Sequence, residues 1–412
     1  MTPGAREGGA PGDARIRRRP VAMLVHSYYE EDPRVRREAE SLVAAGRLVH
    51  VYGLRRQGDG PDDSIDGVAL HRIDVQRHQG AGIVTYLREY LSFFARAGWA
   101  ATRDHRRRRY AVLQVHTLPD FLAFAGVPLR LAGVPLLLDL HEAMPEFFRI
   151  RFPRASGRLA HAGLVAQERA SIAVADAVLT VNDALKERLV GLGVPPDKVT
   201  VVLNSPSLAR FDASACPARA FAEDGVVRLV YAGALSPVYE LDVVLEAVRR
   251  IGELRPELPV RLELYGRDFA EVPLGDRAAA LGVADRVTLH GRIPIEAVPA
   301  AIAGADIGLA PTRRSEMTDF SLSTKVFEYA AMGKPVVASR LPMVERTFPP
   351  GTVATYEPGD PGRLAGAILA LVDDAGDRDA RVTATLALVR ELSWERESVR
   401  YRAVVDRLAG DG

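Results

Sequence analysis

From residue 21 onward the chain repeats one arrangement: a short continuous apolar run, a polar turn, then a stretch whose apolar residues recur every three or four positions. Short unbroken apolar runs suit strands buried on both faces, and the periodic stretches suit the helices that cover them. VAMLVHS (21–27), LVHVYGL (48–54), VALHRI (68–73), AVLQVH (111–116), PLLLDL (135–140), AVLTV (177–181) and KVTVVLN (198–204) are predicted strands. VRREAESLVAAG (35–46), closed by Gly46, and stretches 83–109, 158–175 and 183–190 are predicted helices, while 55–67, rich in Gly and Asp, reads as a loop. The order is that of a doubly wound α/β sheet.

The pattern lapses at SPSLARFDASACPARAFAEDG (205–225) and then restarts. Strands at 226–233, 260–266, 286–291, 307–311, 336–339 and 352–358 alternate with helices at 240–251, 276–281 and 295–304 and a helix around 326–332. Two further helices follow, the last beginning near Trp394 and long enough to cross back to the first domain. The expected organisation is a disordered leader (1–20), a Rossmann-like domain (21–204), a linker (205–225), a second Rossmann-like domain (226–392) and a crossing helix (393–412). A length of 412 residues fits two domains of this size.

FLAFAGVPLRLAGVPLLL (121–138) is long enough to be weighed as a membrane span. Arg130, Pro128 and Pro135 argue instead for a helix from Pro119, a turn at Ala132-Gly133 and a buried strand. Net charge is only +1, so no overall field favours nucleic acid. A single cysteine, Cys216, excludes an internal disulfide or a multi-cysteine metal site, and the expected location is a reducing cytoplasm. No phosphate loop with its lysine, nucleophile elbow or zinc spacing is present. The one D-x-D, at 377–379, reads as surface, and no metal is assigned.

Candidate chemistry concentrates in DFSLSTKVFEYAAMGKPVVAS (319–339), which reads as loop, helix, tight turn and strand. Ser323 or Thr324 suits the N-cap and Gly333 the left-handed residue after the helix. Lys325 stands at the helix start, where the dipole disfavours a cation by about 0.3–1 kcal/mol unless an anion binds there. Only four of the 54 basic residues are lysines, and two of them, Lys325 and Lys334, bracket this helix. Glu328, one turn on, suits a pair of neighbouring sugar hydroxyls. His116 and His141 close two successive strands, with Asp139 and Glu142 beside them, where open α/β sheets bind ligands. Helix 83–109 carries Tyr86, Tyr90, Phe93, Phe94 and Trp99 and ends in RDHRRRR, a pattern open to an anionic membrane surface, an acidic acceptor or a solvated helix end.

Several ordered motifs carry a resemblance: EEDPRVRREAESLVAAGRLVHVY, VHTLPD, LDLHEAMPE, ADAVLTVNDALKERL, VVLNSP, YAGALSPVYELDVVLEAV, ADIGLAP, STKVFEYAAMGKPVVAS and SWE. Through them residues 20–405 resemble the retaining GT-B glycosyltransferases of the family 4-like, group 1 class, related to sucrose synthase and glycogen synthase. The resemblance implies two Rossmann-like domains about a cleft, with a nucleoside diphosphate sugar (UDP- or GDP-type) on the second. A saccharide, lipid-linked or small natural-product acceptor would sit on the first. It assigns the ribose to Glu328 and a place beside the reacting sugar to His116.

Family members carry an arginine after the glycine matched by Gly233, and a lysine further on; here those places hold Ala234 and Val238-Tyr239. The first glutamate of the E-x7-E pair falls at Phe320, and the usual Gly-Gly near the N-terminus gives way to Asp32-Pro33-Arg34. Lys325, with Arg267, Arg313 or Arg314, is the expected replacement charge, and Asp32, Arg34, Asp139, His141 and Glu142 are acceptor-side candidates. No cofactor is expected, since the nucleotide sugar is a substrate. The expected activity is retaining transfer to a hydroxyl group at the cytoplasmic side, with peripheral membrane contact open. A nucleotide-sugar 2-epimerase and a non-catalytic GT-B binding module are the alternatives.

Overall fold

The computed structural model describes residues 19–78, 82–152, 155–217, 219–270 and 272–411. Most of the expected leader, residues 1–18, lies outside the described residues.

The first apolar runs form β1 (Val21–Leu24), β2 (Val49–Leu54), β3 (Asp62–Ile65), β4 (Val68–Ile73), β5 (Val112–His116), β6 (Leu136–Leu140), β7 (Ala177–Thr180) and β8 (Val199–Val201). They make one sheet in the order β3-β4-β2-β1-β5-β6-β7-β8, parallel except for β3 against β4. After residue 225 the runs form β9 (Val227–Ala232), β10 (Val260–Tyr265), β11 (Val287–Gly291), β12 (Ile307–Ala310), β13 (Val336–Ser339) and β14 (Ala354–Tyr356). These give a parallel sheet ordered β11-β10-β9-β12-β13-β14. The central strands are buried on both faces, which is why they read as unbroken apolar runs.

Three local expectations need correction. The stretch 55–67 is not all loop: Asp62–Ile65 pairs antiparallel with β4 through a turn at Asp66 (φ 51°) and Gly67 (φ 79°). Its exposed polar side chains carry no apolar signal, although Asp-Gly is itself a hairpin signal. The helix expected from Pro119 starts as a 3-10 segment, Asp120–Gly126, and becomes α-helical only over Val127–Leu131. The strand expected at 198–204 covers only Val199–Val201.

The last helix, Trp394–Ala409, lies against the first sheet, where Trp394, Tyr401, Val404 and Val405 share a core with Met23, Val35 and Val51. Buried polar groups fix its register: the Tyr401 hydroxyl donates to Gln114 Oε1 (2.7 Å), and Gln114 Nε2 donates to Glu38 Oε2 (2.6 Å). Its first turn also straps the connection between domains. The Trp394 amide donates to the Pro206 carbonyl (3.1 Å), and Arg37 stacks on the Trp394 ring at 4.9 Å while bonding Asn204 and the Ser205 carbonyl.

In the second sheet the ends of β9 and β10 approach backbone to backbone. A Cβ added at Gly266 (φ 151°) would lie 1.8 Å from the Gly233 carbonyl oxygen, an overlap no side-chain movement relieves. Gly266→Ala is therefore expected to cost about 3 kcal/mol or more of stability, read as the urea midpoint.

His26, just beyond β1, is buried edge-on against Tyr90 (4.7 Å) and Phe93 (5.1 Å). Burial, reinforced by Arg77, lowers its pKa to about 3. An unfolded chain protonates this imidazole near the ordinary histidine value of 6.5, so between that pH and about 3 the unfolded state holds the extra proton. Stability must fall as pH drops through this window, by up to about 1.4 kcal/mol per pH unit from this residue. Urea unfolding of His26→Gln between pH 7 and 4 should show a slope shallower by about one proton.

Candidate functional site

The C-terminal ends of both sheets open onto one cleft, the position where open α/β sheets bind ligands. One cavity of ≈ 350 Å³ is lined by Arg34, His141, Glu142 and Phe147 from the first domain and by Phe320 and Lys325 from the second. A second of ≈ 360 Å³ is lined by Arg37, Arg210, Gly233, Lys325 and Glu328. Lys325 and Arg34 line both.

The helix Thr324–Ala331 delivers Lys325 and Glu328 to this point. Ser323 occupies the N-cap position with extended backbone, but its side chain makes no capping hydrogen bond, so the cap leaves the helix-start amides to other partners. Lys325 is buried, and its Nζ stands 4.2 Å from the centre of the Tyr239 ring and 5.0 Å from that of Tyr231. The lysine crosses directly above Gly233 (φ 148°): a Cβ there would lie 2.5 Å from Lys325 Cε and 2.8 Å from Nζ. Tyr231 is itself oriented by donating to the Ala234 carbonyl (2.8 Å). Lys334, the other lysine bracketing the helix, turns away and donates to the Ala303 carbonyl (2.8 Å).

Glu328 sits at the floor of the second cavity. Burial raises its pKa, and the nearby charges of Lys325, Arg37 and Arg210 oppose that rise. Arg37 and Arg210 were not singled out from the sequence. Arg37 reads as part of a polar helix face and Arg210 as linker, and only the tertiary fold turns both toward Glu328.

On the facing wall His116 and Asp139 are register partners across β5 and β6. His116 Nδ1 bonds Asp139 Oδ2 (2.9 Å), and His141 Nε2 stands 2.8 Å from the same oxygen without hydrogen-bond geometry. The two imidazole planes are nearly parallel (5°), with ring centres 5.9 Å apart. Burial works against the Asp139 carboxylate, but the adjoining His141 and His116 outweigh it and hold Asp139 ionised. Burial lowers the His141 pKa; Asp139 partly offsets this and Arg34 adds to it, which favours a neutral ring. Ligand atoms of His116, Asp139 and His141 all lie within 4.8 Å of one another, close enough to be bridged by a cation, although Asp139 Oδ2 is already shared by the imidazoles.

Four expected residues fall in different places from those the sequence suggested. His116 is buried and is not among the lining residues, because its side chain turns into the sheet toward Asp139; His141 and Glu142 form the wall. Asp32 is also set back: it caps the helix Pro33–Ala44, accepts from Ser27 Oγ (2.9 Å) and pairs with Arg34 (3.2 Å), so that Arg34 reaches the cavity and Asp32 does not. Arg313 is turned to the rim, donating to Asp242 (2.8 Å) and the Pro237 carbonyl (3.2 Å), and is not among the residues lining the two cavities. Arg267 lies over Phe269 at 5.2 Å and lines a wider part of the cleft, ≈ 1180 Å³, beside Gly233 and Arg292.

Residues 32–205 match the Glycosyl transferase 4-like domain, and residues 227–374 match Glycosyl transferases group 1. Among similar proteins is D-inositol 3-phosphate glycosyltransferase of Thermobifida fusca, 27% identical over 330 residues, 76% of this chain and 73% of that protein. Phosphatidyl-myo-inositol mannosyltransferase of Mycobacterium tuberculosis is 25% identical over 325 residues, 76% of this chain and 77% of that one. Among solved structures, sucrose-phosphate synthase of Thermosynechococcus elongatus superposes with a TM-score of 0.73 at 18% identity, covering 96% of this chain and 100% of that one. Anabaena HepE in complex with UDP-glucose gives 0.69 at 15% identity over 94% and 99%. With both domains matched in order and a cleft between two parallel sheets, the chain belongs to the GT-B glycosyltransferases.

Proposed function

We propose that the protein moves a sugar from a UDP- or GDP-type donor to an acceptor hydroxyl with retention of anomeric configuration. The observation that carries this reading is Lys325, an ammonium braced between two tyrosines above Gly233 at the start of the Glu328 helix. A diphosphate leaving group gathers charge as the glycosidic bond breaks, and a cation already in place lowers that barrier without reorganisation. Lys325 supplies the charge that the family's missing arginine and lysine would otherwise bring, with Arg267 and the open helix amides beside it. Glu328 takes the ribose hydroxyls. No metal is required in this reading. The solved relative with UDP-glucose bound supports the donor class.

In a same-face displacement the acceptor oxygen bonds the anomeric carbon as the bond to the diphosphate oxygen breaks, and the acceptor proton passes to that oxygen. The chain then needs to orient the partners and stabilise charge, and needs no side chain as base. His141 and Glu142 face the cavity where sugar hydroxyls would lie, with His116 and Asp139 packed behind the His141 ring. Saccharide, lipid-linked and small natural-product acceptors all fit a wall that also carries Phe147 and Leu185.

Two measurements test the reading. Thermal unfolding with millimolar UDP, GDP and their sugars should show one nucleotide stabilising the fold; Lys325→Ala should then weaken its binding at least about tenfold, or 1.4 kcal/mol. Gly233→Ala should weaken it too, by displacing the ammonium. Unchanged binding in Lys325→Ala removes the assignment. For the mechanism, NMR of the product should show the donor's anomeric configuration, and an inverted product would exclude same-face displacement.

A further inference from the structure

The helix Ile83–Arg108 buries one face and leaves the other uncovered. Phe93, Ala97 and Ala101 are fully buried in the first domain's core. Val84, Leu87, Leu91 and Trp99, spaced three, four and eight residues apart along the opposite face, are 67%, 47%, 55% and 64% exposed. Scattered apolar residues on a surface need no explanation, but a row along one helix face does.

The charges this helix itself turns outward are of one sign, although Asp62 and Asp74 from neighbouring elements share a surface hollow with Trp99, Arg96 and Arg103. Arg88, Arg96, Arg103, Arg106 and Arg107 are exposed along the helix. Its two acids do not face outward: Glu89 is buried against His78 (2.5 Å), and Asp104 is engaged by the Tyr52 hydroxyl (2.9 Å) and Arg103 (2.8 Å). The chain's net charge of +1 makes this a local asymmetry. Arg103 also stacks on Trp99 at 4.8 Å, placing a cation beside the exposed indole. An apolar row, an exposed tryptophan and flanking arginines are the chemistry of a helix lying in the headgroup region of an anionic bilayer.

We propose that the outer face of Ile83–Arg108 docks the first domain on a membrane surface rich in anionic lipid. The row begins beside the acceptor side of the cleft: Tyr86 packs on Phe152 (5.7 Å), which follows the helix Met144–Arg151 that contributes Phe147 to the cavity wall. Docking would thus bring that mouth of the cleft near the lipid surface and its hydroxyl-bearing headgroups. No helix among the described residues is long and apolar enough to cross a membrane, so the contact is peripheral.

The test uses the full chain with vesicles of phosphatidylcholine, with and without phosphatidylglycerol, and no nucleotide. Binding to anionic vesicles should be at least about tenfold stronger and should fall with added salt. Because the other tryptophan, Trp394, is buried, a blue shift and quenching by brominated lipid should come from Trp99 and vanish in Trp99→Phe. Leu87→Glu with Leu91→Glu should lower binding at least about tenfold with an unchanged melting curve, and Arg106→Gln with Arg107→Gln should reduce the preference for anionic lipid. Absence of vesicle binding, or binding that survives Leu87→Glu with Leu91→Glu, overturns the proposal. So does a dimer that needs Leu87 and Leu91 and shows no vesicle binding, which would make a second copy the occupant. None of these readouts depends on the donor or on turnover, so their failure leaves the proposed transfer reaction standing.

Discussion

The close approach of Lys325 to Gly233 is the contact on which the cleft depends. Two strand ends must bring backbone against backbone, Gly233 beside Gly266, before there is room for a lysine side chain above them. Tyr231 and Tyr239 then hold the ammonium, each ring contributing roughly 0.5–2 kcal/mol according to its desolvation. The lysine opposes the helix dipole in a mostly buried place, an arrangement costly to the folded chain alone and favourable once an anion is present. Local strain of this kind is what a binding site is expected to store.

The two domains are joined by contacts of unequal strength. At the cleft lips Glu31 pairs with Arg292 (2.9 Å), Arg36 with Glu296 (3.3 Å) and Glu187 with Arg346 (2.7 Å). Exposed pairs such as these are worth about 0–1 kcal/mol each, too little to fix the domains against each other. Near the connection, Arg37 lies between Trp394 and the Asn204 side chain and Ser205 carbonyl, and the helix Trp394–Ala409 shares the first domain's core. Arg37 also faces Glu328, so the connection between the domains and the second cavity are electrostatically linked.

The first-domain wall of the cleft is layered in a similar way. Asp139 stands behind His141 (2.8 Å) and Asp32 pairs with Arg34, so the residues that meet the cavity are backed by residues that do not. Both supporting carboxylates keep their charge despite burial because a basic group is in contact with each. Desolvation alone would neutralise them.

The two parallel sheets were legible in the chain, because strands buried on both faces must be apolar at every position and helices covering them must repeat near 3.6; their GT-B arrangement came from the ordered motifs and the resemblance they carry. The Lys325–Glu328 helix also stands out in the chain, because a lysine at the wrong end of a dipole is a local anomaly, and both residues line the cleft. What lacked an apolar signal was missed: the edge strand Asp62–Ile65 is mostly polar and exposed, and is held by backbone pairing with β4 and by polar contacts from Asp62 to His71 and from Arg72 to Asp63. Side-chain direction at the cleft was likewise decided only by the tertiary structure. His116 and His141 look equivalent as strand-end histidines, but the register that sets His116 opposite Asp139 turns it inward and leaves His141 to form the wall. Arg313 and Arg37 carry the same charge, yet Asp242 draws one to the rim, while the helix Trp394–Ala409, more than 350 residues along the chain, turns the other toward Glu328. Periodicity reports which elements are buried; which charges meet is set by contacts between segments far apart in sequence.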